Sequence, residues 1–99
     1  MNEIEEKTLN YIRFATGFNN LKMEQLEMFV ENEVEEINGY NTSTQEFQYR
    51  VADINTNATL RAYIIECLDL TLQTRWGNNL EYHVERKTKY LNKLTGMQA

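Results

Sequence analysis

Asp53, Asn55 and Asn57 alternate along the stretch "DINTN" as the first oxygen ligands of a calcium-binding loop do. Such a loop needs a glycine at its sixth position and a bidentate glutamate at its twelfth, where this chain has Ala58 and Ile64. Short polar side chains also compete for backbone hydrogen bonds, which favours a helix break at these positions. We therefore interpret the stretch as a break between helices and not as a calcium site.

Cys67 and His83 could also support chemistry, because a thiol and an imidazole that are hydrogen-bonded form a nucleophile and its base. Cys67 lies in an apolar segment, where a buried thiol behaves as an inert small hydrophobe. His83 belongs to a different predicted helix and has no evident carboxylate to orient it. A chain with one histidine has no multi-histidine metal motif, and this one also has neither a P-loop nor a dinucleotide-binding glycine loop. We expect no catalytic residue, no metal site and no cofactor, and we predict that the protein is not an enzyme.

Composition limits the class of protein further. The 99 residues are 41% hydrophobic and 25% charged, which predicts one globular domain over residues 1–99. Asp and Glu number 15 against 10 Lys and Arg, and this net charge of −5 argues against general nucleic-acid binding. A single cysteine excludes an internal disulfide and favours a reducing cytoplasm. The acidic start of the chain does not predict a secretory signal, and no apolar run approaches the roughly 18 residues of a membrane span.

Helical periodicity predicts an all-α fold, a compact bundle of about four to five helices. The chain has no proline, and its four glycines lie near the ends of helical patterns. The predicted helices cover residues 3–16, 22–38, 43–54 and about 58–76, and a fifth follows a cap at Asn79. The residues expected to face inward are Ile4, Tyr11, Ile12 and Ala15, then Met23, Leu26, Val30, Val34 and Ile37, then Phe47, Val51 and Ile54, and finally Leu80, Val84, Leu91 and Leu94.

The helix at about 58–76 is apolar around most of its circumference, which is typical of a central helix covered by its own domain. Its apolar residues are Leu60, Ile64, Leu68 and Leu72 in one stripe, Ile65 and Trp76 beside them, and Tyr63, Cys67 and Leu70 on the other side. Its polar strip is Glu66, Asp69 and Gln73. The surplus apolar surface has two interpretations. We expect Tyr63, Leu70 and Trp76 to contact either a bounding helix or another chain.

Charged residues form two columns of opposite sign. The acidic column consists of Glu24, Glu27, Glu31 and Glu35, and the basic column of Arg86, Lys89 and Lys93. The spacing of three or four residues places each column on one side of a helix. Both columns can be solvated faces. Alternatively, the acidic column of one subunit meets the basic column of the next, which is a head-to-tail contact of the kind that closes rings.

The order of these elements resembles the small head–tail connector (adaptor) proteins of tailed bacteriophages. The resemblance covers most of residues 3–77 and rests on three landmarks. The first helix contains "YIR" at 11–13, the acidic helix ends in an Ile-x-x-Tyr segment at 37–40, and a long apolar helix runs from Leu60 to Trp76 and ends "QTRWG".

This resemblance implies a structural virion protein that is made in the host cytoplasm and located at the head–tail interface. Its partners would be copies of itself in a ring, the portal protein above, and a stopper or tail-completion protein below, with no membrane involved. DNA would pass through the channel without specific binding, because acidic surfaces repel phosphates. The alternative is a small acidic intracellular regulator or inhibitor, including one encoded by a phage, that binds a host protein.

Overall fold

The computed structural model describes residues 3–16, 22–40, 48–72 and 80–96. The helices are α1 (Glu6–Thr16), α2 (Met23–Tyr40), α3 (Ala58–Leu72) and α4 (Leu80–Thr95), with a 3-10 helix (Val51–Asn55) before α3. Within these four stretches there is no β-strand, and the prediction of an all-α bundle is confirmed. No helix in the described part of the chain has the length and apolar character needed to cross a membrane.

Helix α2 contributes a regular apolar face to the core. Leu26, Val30, Val34 and Ile37 are at most 2% exposed, as their spacing of three and four residues predicts. Met23 packs at the edge of the same core. The expectation for this helix is therefore confirmed along its whole length.

Helix α3 is the central element, because it packs against α1, α4 and the 3-10 helix. Leu60, Ile64 and Leu68 are at most 1% exposed, and Tyr63 and Cys67 on the other side are each 2% exposed. The helix is thus buried on more than one side, and a wide apolar circumference is what such a position requires. Leu72 ends the helix, and its side chain lies outside the described residues, as does the predicted extension to residue 76.

The predicted break at residues 55–57 separates the 3-10 helix from α3. The Asn57 side-chain oxygen accepts a hydrogen bond from the Leu60 backbone N–H at 3.0 Å, which caps the start of α3. Asn55 uses both ends of its side-chain amide, accepting from the Glu5 N–H and donating to the Glu3 carbonyl, each at 2.9 Å. This pair of bonds ties the segment before α1 to the turn before α3.

Asn38 makes an equivalent clamp near the end of α2. Its side-chain amide donates to the Tyr49 carbonyl and accepts from the Tyr49 N–H, both at 2.8 Å. The Tyr49 hydroxyl then donates to the Leu94 carbonyl in α4 at 2.7 Å. The stretch that leads into the 3-10 helix is therefore fixed at Tyr49 to both α2 and α4.

Three residues predicted to face inward do not. Tyr11 is 57% exposed, Leu80 44% and Val84 45%. The buried face of α4 is centred on His83 and Leu94, and at 100° per residue Val84 lies on the flank of that face. Polar His83 takes the inward position because it has a charged partner on α3, a preference that an apolar pattern does not reveal.

The helix predicted over residues 43–54 is shorter in the structure, because residues 48–50 are not helical. Only residues 51–55 form a helix there, and its geometry is 3-10, while residues 43–47 lie outside the described part of the chain. Ile54 is fully buried as expected, and Val51 packs against the core.

We predict that Leu60→Ala, Ile64→Ala and Leu68→Ala each lower the free energy of unfolding by about 2–5 kcal/mol, because each leaves a cavity in a closed core. Urea unfolding of the purified variants measures this. Thr71→Ala, an exposed position on the same helix, is the matched control and should change stability by less than about 0.5 kcal/mol. A loss below about 1 kcal/mol in all three core variants would contradict the central position of α3.

Candidate functional site

A groove of about 500 Å³ lies between α1, α3 and α4. Its polar lining includes Tyr11 from α1, Arg61, Glu66 and Asp69 from α3, and His83 and Arg86 from α4. Arg61 is fixed at one end by donating to the Ile54 and Asn55 carbonyls at 3.1 and 2.9 Å. We refer to this feature as the groove.

The Glu66 carboxylate is the central polar group of the groove. Its side chain is 7% exposed, and each carboxylate oxygen has a partner on α4. His83 Nδ1 lies 2.7 Å from Oε2, and Arg86 Nε donates to Oε1 at 3.0 Å. A carboxylate this deeply buried needs such partners, because transfer from water is otherwise costly.

Arg86 is itself held by two tyrosines of α4, one turn on either side of it. Its guanidinium donates to the Tyr82 hydroxyl at 3.0 Å and to the Tyr90 hydroxyl at 2.6 Å. It also lies 5.4 Å from the centroid of each ring, within the range of cation–π attraction. Tyr82 and Tyr90 therefore restrain the guanidinium, and it presents Nε to Glu66 in a fixed orientation.

Asp69 places a second buried carboxylate beside the first. It follows Glu66 by three residues on α3 and is 3% exposed. One ligand atom from each of Glu66, Asp69 and His83 lies within 4.8 Å of the others. The groove therefore brings together two carboxylates and one imidazole, a combination that can hold a metal ion or transfer a proton.

The polar strip predicted for α3 is thus not a solvent-facing strip, since Glu66 and Asp69 are buried beneath α4. The expectation that His83 has no orienting carboxylate is also wrong, because Glu66 is bonded to it. A signal for this pairing exists in the sequence. Two acids three residues apart on an apolar helix are matched by His83 and Arg86, also three residues apart, on the next helix.

Cys67 faces a different environment from His83. It is 2% exposed and lies beside Tyr63 and Glu33 of α2. Burial, reinforced by the charge of Glu33, raises the pKa of the Cys67 thiol to about 12, so the thiol is protonated at neutral pH. Burial also raises the pKa of the Tyr63 hydroxyl. These surroundings are those of a structural cysteine and not of a nucleophile.

The three residues predicted to contact a bounding helix or another chain differ in their burial. Tyr63 is buried within its own chain, in accordance with the first of those alternatives, and Leu70 is half-buried. Trp76 lies outside the described residues.

The residues within each charged column also differ in exposure and pairing. In the basic column Lys89 and Lys93 are exposed, while Arg86 is half-buried and pairs with Glu66 of the same chain. In the acidic column Glu27 is half-buried, and the other three glutamates, Glu24, Glu31 and Glu35, are exposed. Among the described residues no ion pair includes these three glutamates, Lys89 or Lys93.

Comparison with known proteins adds no relative. No protein-family model matches the chain, and no curated protein or solved structure matches it. The resemblance to connector proteins therefore rests on the sequence landmarks.

We predict that Glu66→Gln lowers the free energy of unfolding by about 1–3 kcal/mol, because Arg86 loses a charged partner in a partly buried place. Urea unfolding measures the loss, and Glu81→Gln, exposed on α4, is the control. In a double-mutant cycle with Arg86→Met, the two changes should couple by more than about 0.5 kcal/mol. Strict additivity would contradict the proposed importance of this pair.

We also predict that Cys67 reacts with a soluble thiol reagent far more slowly in the folded protein than in denaturant, since the thiol is buried and protonated. The absorbance of the released chromophore follows the reaction. Stoichiometric labelling of the folded chain at the denatured rate would show instead that the thiol is accessible.

Proposed function

We propose that the protein is a structural subunit that assembles with copies of itself into a ring, as a head–tail connector of a tailed bacteriophage. The observation that carries the proposal is the pair of exposed, oppositely charged helical surfaces on α2 and α4. Within the described residues no ion pair inside the chain includes Glu24, Glu31 or Glu35 of α2, or Lys89 or Lys93 of α4. The order of helices and the landmarks near Tyr11, Ile37 and Leu60 support the connector assignment.

The acidic column is costly for an isolated subunit. Like charges one helical turn apart destabilise an exposed helix by about 0.2–0.5 kcal/mol per pair. A basic surface from a neighbouring copy would offset that repulsion. If each copy pairs its acidic column with one neighbour and its basic column with another, the contact is head-to-tail. Such contacts generate closed rings when the rotation between copies allows it.

Each charged surface also carries an exposed apolar side chain. Met28 is 63% exposed and, at 100° per residue, lies within about 60° of Glu24, Glu31 and Glu35. Tyr82 is 54% exposed and lies within about 40° of Lys89 and Lys93. Each surface therefore combines an apolar contact with surrounding charges. In such interfaces aromatic and methionine side chains supply contact area, while charges set register and association rate.

In the connector role the subunit would bind the portal protein on one side of the ring and a stopper or tail-completion protein on the other. A net charge of −5 per copy would repel the phosphate backbone, so DNA could slide through the channel without specific binding. The protein would act in the virion at the head–tail interface, and its role would be non-enzymatic.

The second candidate is a small acidic regulator or inhibitor that binds a host protein inside the cell. The same α2 surface favours it, because a column of glutamates around Met28 could occupy a basic surface of a partner without self-assembly. The two candidates differ in whether the basic surface of α4 is needed.

We predict that Lys89→Glu/Lys93→Glu weakens self-assembly at low salt, because it places like charges against the acidic column of the next copy. The loss should shrink at high salt, where the Debye length falls to about 3 Å and the attraction is already screened. Sedimentation velocity and native mass spectrometry measure the assembly state. Lys7→Glu/Lys22→Glu, which makes the same change of net charge at exposed positions outside α4, is the matched control.

Normal assembly of the Lys89→Glu/Lys93→Glu variant at low salt would show that the charge-matched contact is wrong. Mass spectrometry of proteins that co-purify from the native source then separates the two functions. Recovery with portal and tail proteins supports the connector role. Recovery of a monomer or dimer with a host protein supports the regulator.

A further inference from the structure

The cluster of Glu66, Asp69 and His83 resembles a set of metal ligands more closely than a solvent-facing polar strip. Both carboxylates are at least nine-tenths buried, and the imidazole side chain is 14% exposed. The two acids come from one face of α3 and the imidazole from α4, so the ligand atoms converge from two helices. Nitrogen and carboxylate oxygen are ligands that Zn²⁺, Mn²⁺, Fe²⁺, Co²⁺ and Ni²⁺ share.

The distances allow one ion to reach all three side chains. Metal–ligand distances of about 2.0–2.2 Å require neighbouring ligand atoms to be separated by about 3.0–3.5 Å in octahedral or tetrahedral geometry. His83 Nδ1 and Glu66 Oε2 are 2.7 Å apart. One ligand atom from each of the three side chains lies within 4.8 Å of the other two. The more distant ligand atoms would therefore have to approach one another by at most about 1.8 Å to complete the coordination.

Arg86 does not prevent this arrangement, because it occupies the other oxygen of Glu66. Its Nε donates to Oε1, whereas Oε2 faces His83. Outer partners of this kind commonly orient a metal-ligating carboxylate. Two carboxylates buried side by side repel each other, and a divalent cation between them would offset that repulsion.

We propose that Glu66, Asp69 and His83 bind one divalent transition-metal ion on the wall of the groove. The groove gives the ion a route from solvent, and three protein ligands leave coordination positions for water. The ion would take the place of the hydrogen bond between His83 and Glu66 and would join α3 to α4. This site is independent of the ring assembly proposed above.

Isothermal titration calorimetry with Zn²⁺, on the tag-free full chain at neutral pH, tests the site. We expect saturable binding of one ion per chain, a higher melting temperature in its presence, and binding of Mg²⁺ weaker by at least about 100-fold, because imidazole favours the transition metals. Asp69→Asn and His83→Gln should each weaken Zn²⁺ binding by at least about tenfold. Co²⁺ in place of Zn²⁺ should give visible absorption bands that disappear in both variants.

Glu85→Gln, an exposed position on α4, removes one acidic group outside the cluster and should leave Zn²⁺ affinity unchanged. Circular dichroism establishes whether each variant is folded. If Asp69→Asn is unfolded, the Zn²⁺ affinity of His83→Gln is the deciding measurement. Absence of saturable Zn²⁺ binding to the native sequence would overturn the proposal. Equal affinity in the native chain and in a folded His83→Gln variant would overturn it as well.

Discussion

The burial of one carboxylate governs how the second half of this protein is arranged. Glu66 lies in the middle of the central helix, and only 7% of its side chain is exposed, at the wall of the groove. Its burial is tolerated because α4 supplies an imidazole and a guanidinium at hydrogen-bonding distance. The orientation of α4 about its own axis is set by this requirement, which turns His83 inward and leaves Val84 on the flank.

The same constraint explains the unusual side chains around Arg86. A guanidinium that serves one carboxylate still has other N–H groups to satisfy, and the hydroxyls of Tyr82 and Tyr90 accept from it. Those tyrosines lie one turn before and one turn after Arg86, so both hydroxyl acceptors belong to the same helix as the guanidinium. The groove is the space that remains where α1 covers only part of this polar region.

Much of the fold followed from apolar periodicity. The inward face of α2 and the central place of α3 could be predicted, because burial of apolar area is the largest favourable term in folding. The break near Asn57 could be predicted because short polar side chains compete for backbone hydrogen bonds. The candidate site could not be read the same way. Glu66 and Asp69 look like an ordinary polar strip on a helical wheel, and only the presence of partners on another helix makes their burial possible. The prediction that Tyr11 and Leu80 face inward was wrong for a different reason. An apolar residue at the edge of a small domain can remain exposed at little cost.

The clamp made by Asn38 has a consequence for the chemical durability of the chain. Asn38 precedes Gly39, and an asparagine before glycine readily loses its amide nitrogen when the backbone is free to fold back on the side chain. Here the helix holds the backbone, and both ends of the amide are bonded to Tyr49. Hydrolysis would turn the donating nitrogen into an oxygen that faces the Tyr49 carbonyl and repels it. The hydrogen bonds between Asn38 and Tyr49 therefore also protect the Asn38-Gly39 dipeptide from deamidation.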